Sequence, residues 1–132
     1  MSPKQLDELV LQLENYLECW KQFNHFLSLA RARQFTPAEE NQFLELKSVL
    51  TQQLEVILAA IESGAPSREE VHALLGSTPS IRFLSELTEA SQRGIENQWH
   101  KLYIQWQSLL GQLKVQHRQA QSRSLWSRLF SR

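Results

Sequence analysis

At 132 residues and 42% hydrophobic, with four Trp, six Phe and two Tyr, the chain has the length and apolar content of one folded domain, which excludes intrinsic disorder. Four Gly and four Pro supply too little turn chemistry for a many-stranded sheet, and one cysteine excludes an intrachain disulfide, so a reducing compartment is the simpler expectation. The formal net charge of zero conceals a gradient: residues 1–96 hold all 14 acids and 8 Lys or Arg, a balance of −6, while 97–132 hold 6 Lys or Arg and no acid.

The opening segment, MSPKQLDELVLQLEN, carries acids early and no long apolar run, so it does not read as a secretory signal. The longest uninterrupted apolar stretch, Val56 to Ile61, falls far short of the ~20 residues of a membrane-spanning helix. A cytoplasmic protein, integral to no membrane, is the expectation.

The first helix is predicted from about Pro3 to Arg33. Ser2 can cap it, and Pro3 suits the first helical position because its missing N–H would be unpaired there anyway. Leu6, Leu9, Leu13, Tyr16, Trp20, Phe23, Leu27 and Ala30 follow an alternating spacing of three and four, the seam of a bundle or coiled-coil helix. Val10, Leu17 and Phe26 widen the stripe, which predicts more than one neighbour and leaves room for self-association. At 1.5 Å per residue this helix spans about 45 Å, so the bundle is elongated.

Thr36-Pro37-Ala38-Glu39 marks a second start, with Thr36 as cap, Pro37 in the first position and Glu39 completing a capping box. The short link through Gln34 and Phe35 folds this helix back antiparallel to the first. Its stripe runs through Phe43, Leu46, Leu50, Leu54, Ile57 and Ile61, and Gly64 is expected at its left-handed C-terminal cap ahead of Pro66. Ser67-Arg68-Glu69-Glu70 reads as another capping box, opening a short helix to about Leu75. From Pro79 or Ser80 a single helix of some forty residues is predicted, its later half carrying Ile95, Trp99, Leu102, Trp106, Leu109 and Leu113 at seam spacing. Gly94 and Gly111 each cost about 1 kcal/mol in a helix interior, and Gly94 is read as a close approach or slight bend.

The expected fold is therefore all-α: an elongated antiparallel three-helix bundle over residues 1–121, with one short extra helix in the second connection. Residues 122–132 form a basic amphipathic tail in which Leu125, Trp126, Leu129 and Phe130 share a helical face beside Arg123, Arg128 and Arg132. The polar stretch from Gln116 to Ser124 reads as a frayed helix end or a linker. The tail has two readings, a docking element or a cap over the open end of the bundle.

No residues carry a recognisable catalytic pattern. Glu69-x-x-His72 has the spacing of half a di-iron site, but such a site needs a second copy and further carboxylates. Glu96 and His100, one turn apart, read as a surface pair. His25 and His117 have no Cys or carboxylate at ligand spacing, and Cys19 beside Trp20 reads as a packed, inert thiol. There is no glycine-rich phosphate loop, nucleophile elbow or zincin motif. No enzyme activity, cofactor or metal is expected.

Trp99, Tyr103 and Trp106, flanked by His100 and Lys101, form an aromatic face that could meet a partner or stack on single-stranded nucleic acid, though their heptad spacing favours the core. A pI near 6.9 argues against a dedicated nucleic-acid binder. In size, helix count and amphipathic C-terminus the chain is similar to small helical secretion and flagellar export chaperones. That resemblance implies a protein-binding module: an adaptor, assembly factor or export-type chaperone. Two alternatives stand beside it. One is a peripheral membrane protein anchored to an anionic surface by the tail; the other is a weak nucleic-acid binder using the basic final quarter.

Overall fold

The structure, a computed structural model, describes residues 1–61 and 63–130. Among the described residues there are five helices: α1 (Pro3–Ala32), α2 (Pro37–Ala60), α3 (Arg68–Gly76), α4 (Ile81–Ser85) and α5 (Glu89–Phe130). No strand occurs among the described residues, and no helix of theirs is long and apolar enough to cross a membrane.

Two starts follow directly from local chemistry. Ser2 accepts from the Gln5 N–H at 3.1 Å while the Gln5 side chain accepts from the Ser2 N–H at 2.9 Å, and Thr36 and Glu39 repeat this reciprocal arrangement. Arg33 ends α1 in the left-handed region, φ 55°, with its N–H returned to the Ala30 carbonyl.

The ends differ more from expectation. Gly64 does take a left-handed conformation, φ 91°, but not as the cap of α2. That helix stops at Ala60, and Ile61 leaves it extended at φ −110° and ψ 128°. Gly64 lies further on, where the loop passes α5 and an added Cβ would sit 3.4 Å from the Gln112 side chain. The Ser67 box is only half formed, since Ser67 accepts from the Glu70 N–H while the Glu70 carboxylate lies 3.6 Å from Lys101 on α5.

The single forty-residue helix predicted from Pro79 is two helices, so the second connection holds two short helices rather than one. The break has a local cause. The Leu84 carbonyl accepts from the Leu87 N–H at 3.2 Å and the Gln92 amide at 2.7 Å, which closes α4. Thr88 then accepts from the Ser91 N–H at 3.1 Å and starts α5 as an ordinary N-cap. Neither interior glycine of α5 touches anything: a Cβ at Gly94 or Gly111 would meet open space, so Gly94 marks no close approach.

Helix α1 packs against α2, α4 and α5, and eleven of its side chains are buried, Val10, Leu17 and Phe26 among them. Its wide stripe is thus used within the chain. Register against α5 is antiparallel: Arg31 pairs with Glu96, Trp20 meets Trp99, Glu14 faces Lys114 and Asp7 faces His117. Helix α3 packs against both α2 and α5, with Arg68 on Glu55 of α2 and Glu70 toward Lys101 of α5. Its Val71 and Leu74 are fully buried, making α3 a wall of the core. Helix α4 is fastened by Glu40 of α2, whose carboxylate accepts from the Ile81 and Arg82 N–H groups at 3.0 and 2.7 Å. The core's aromatic centre is Tyr16, Trp20, Phe23, Phe43 and Trp106, in edge-on and tilted contacts 5.2–6.1 Å between centroids.

Candidate functional site

The last turns of α5 stand apart from the rest of the molecule. No Gly or Pro follows Gly111, and the Gln, Ala, Arg and Leu content favours helix, so α5 runs without a break through Gln116–Ser124 to Phe130. Of the two readings of that stretch, helix end or linker, it is helix, because propagation from a formed helix needs no new nucleus. The helix is about 63 Å long at 1.5 Å per residue, well beyond α1. Lys114 toward Glu14 (3.5 Å) and His117 to Asp7 (3.3 Å) are its last ion-pair contacts with α1. From Gln121 to Phe130 every residue is exposed.

Four large apolar side chains lie on this free end: Leu125 is 60% exposed, Trp126 57%, Leu129 70% and Phe130 74%. Trp126 and Phe130 stack one turn apart, with centroids 5.1 Å apart and planes 1° from parallel. At about 100° per residue, the middle of this quartet lies about 170° around the helix from the core stripe of Trp99, Leu102, Trp106, Leu109 and Leu113. The tail therefore does not prolong the core stripe, and it covers no end of the body. Ile104 and Val115, both about half exposed, fall within about 20° of the line opposite the core, on the side the quartet occupies. They extend the tail's face back along the outer surface of α5. Sequence reasoning centred on residues 122–132 missed them, although counting back from Trp126 in steps of three and four leads to Val115 and Ile104.

The charged groups frame this face. Arg118 lies about 50° to one side of the quartet's midline and Arg123 about 90° to the other, with Arg128 nearer the back beside Ser124 and Ser127. None of these three arginines has an ion-pair partner among the described residues. Arg132, the remaining predicted member of the tail, lies outside the described residues.

The other predicted positions are placed differently. Trp99 and Trp106 are buried, the first donating its indole N–H to the Trp20 carbonyl at 2.9 Å and the second edge-on to Tyr16. Of the aromatic face only Tyr103 is partly exposed, stacked on Trp99 at 4.8 Å, so three rings are not presented to a partner. It borders an open groove of about 460 Å³ between α1 and α5, whose charges (Glu14, Glu18, Lys21, Lys114) have both signs.

Glu96 is held by Arg31 through two hydrogen bonds of 2.9 and 2.6 Å, not by His100. His72 lies 3.9 Å from Glu55, His25 against the Phe26 ring. Burial, with Glu18 as a lesser cause, pushes the Cys19 thiol up, away from the thiolate that nucleophilic chemistry requires. No group of three His, Cys, Asp or Glu among the described residues is arranged to hold a metal ion.

No family model matches the chain, and no curated protein or solved structure is significantly similar to it.

Proposed function

We propose that this chain is a docking module that does no covalent chemistry: an elongated antiparallel bundle of α1, α2 and α5, walled by α3 and α4, that holds out the free end of α5 as its binding element. The observation that carries the reading is the quartet Leu125, Trp126, Leu129 and Phe130, 57–74% exposed and facing away from the core. Large apolar side chains gathered on one exposed face mark interaction surfaces. A helix already nucleated by a packed body presents them without the ordering cost that a free peptide would meet. A cytoplasmic adaptor or assembly factor fits this description, with the body as scaffold and α5 as the contact.

The test compares the full chain with a 1–121 truncation, each immobilised and exposed to host lysate, with bound protein and lipid both quantified. Because residues 121–130 are all exposed, the truncation keeps the body folded, which circular dichroism verifies. A stoichiometric companion held by the full chain and lost on truncation supports the reading. Equal capture by the two forms, or capture by neither, overturns it.

A further inference from the structure

We infer that the outer face of α5, from Ile104 to Phe130, docks lengthwise on an anionic phospholipid bilayer; this rests on the docking-module reading and names its partner.

The shape of the face supports this first. Ile104, Val115 and the Leu125–Phe130 quartet share one side of a single uninterrupted helix, so apolar side chains recur along about 39 Å of one straight face, with Ser108, Gly111, Gln119 and Ser122 between them. The body packs mainly against the opposite side of α5, reaching round as far as Lys101 and Gln112 and leaving Ile104 and Val115 about half exposed. The distribution of side-chain types agrees. Trp126 and Phe130 are stacked at the far end, amphipathic rings of the kind that settle at the boundary between headgroups and acyl chains. Arg118 lies within the arc of the apolar face and Arg123 at its edge, where long side chains keep their charge at the headgroups while the stems lie along the apolar boundary.

Charge complementarity selects the lipid. Residues 97–132 contain no acid, and Arg118, Arg123 and Arg128 are unpaired among the described residues. Among the described residues, the acids in ion-pair reach of this stretch, Glu70, Glu14 and Asp7, are engaged by Lys101, Lys114 and His117. An anionic leaflet therefore meets the three arginines that have no ion-pair partner among the described residues. A second copy fits less well, because side-by-side pairing of two tails would bring two sets of like-charged arginines together. A nucleic acid would satisfy the arginines and a single strand could stack on Trp126 and Phe130, but Leu125 and Leu129 would stay in water.

The tryptophans supply the readout. Trp20, Trp99 and Trp106 are buried and Trp126 is 57% exposed, so a polar quencher in solution reaches Trp126 above the others. Full-length protein is mixed with phosphatidylcholine vesicles with and without phosphatidylserine, and flotation and acrylamide quenching are followed. The expected result is co-flotation with the phosphatidylserine vesicles at least about tenfold above that with phosphatidylcholine alone, weakened by salt. Shielding of Trp126 should accompany it. The paired substitutions Trp126→Ser with Phe130→Ser, and Arg118→Glu with Arg123→Glu, should each reduce flotation about tenfold at unchanged helix content. Flotation without preference for anionic lipid, or paired variants that bind like the parent, overturns the inference. If the vesicles are ignored while the lysate comparison still yields a tail-dependent protein companion, the bilayer reading falls and the docking module stands. If vesicles are ignored and full and truncated chains capture alike, both fall.

Discussion

The indole N–H of Trp99 donates to the main-chain carbonyl of Trp20 across 2.9 Å, joining α5 to α1 in the buried interior. A helical carbonyl has a second lone pair beside the one used in its own turn, so this bond satisfies a buried donor without opening α1. Trp99→Phe removes the donor and part of the ring. It is expected to lower the unfolding free energy by about 1–2 kcal/mol, read from urea denaturation. An unchanged midpoint would mean that the bond adds nothing to stability.

Glu40 makes a different long-range tie. Its carboxylate accepts from two N–H groups in the first turn of α4, forty-one and forty-two residues along the chain. Charge-assisted bonds at a helix N-terminus are among the stronger ones, and a helix of five residues has little stability of its own. Glu40→Ala is expected to cost about 1.5–3 kcal/mol, and amide exchange at Ile81 and Arg82 should accelerate with it. Glu40→Gln, with one acceptor oxygen left, falls between.

Burial raises the Tyr16 phenol above its ordinary value, and in the protonated state its O–H donates to the Leu50 carbonyl at 2.8 Å. A group whose folded value is raised contributes stability that is complete below its unfolded value and is lost as pH climbs toward the folded one. The chain should therefore lose stability above pH about 10, where the unfolded phenol ionises and the folded one does not. Tyr16→Phe is expected to be less stable than the parent at neutral pH, with the gap narrowing as pH rises past that point. Parallel stability curves for the two proteins would sink the argument.

Gly111 offers a gain instead of a loss. It lies inside α5, a Cβ there meets nothing within 4 Å, and its conformation is helical. Gly111→Ala should raise the unfolding free energy by about 0.5–1 kcal/mol, chiefly by restricting the unfolded chain. Thermal unfolding gives the sign directly.

Local chemistry carried much of this architecture. Thr36 and Glu39 announce α2 within four residues, and the seam from Leu6 to Ala30 identifies the buried face of α1. The orientation of the tail was also within reach, since counting around the helix from Leu113 to Trp126 needs no coordinates. What escaped depended on partners distant in sequence. Nothing around Arg68 or Glu70 announces that Glu55 and Lys101 will stand on either side of α3 and make it a wall. Glu96 has His100 one turn away, yet Arg31, sixty-five residues back, takes both its oxygens. The break before α5 is a different kind of miss. Thr88 is an ordinary cap in a stretch whose apolar spacing conceals it, and the Gln92 amide that closes α4 becomes visible only once both helices are placed.

The place of α1 has a consequence for how the molecule is made. Seventy-nine residues separate the Trp20 carbonyl from the indole that covers it. At translation rates of about 5–20 residues per second, the α5-facing side of α1 is synthesised roughly 4–16 s before its cover. During that interval Trp20 and the apolar line from Leu9 to Leu27 have only α2 and, once it is made, the five-residue α4 to shelter them. The nascent chain is thus most exposed to aggregation between completion of α2 and emergence of residue 113, and a ribosome-associated chaperone would find its longest foothold on α1.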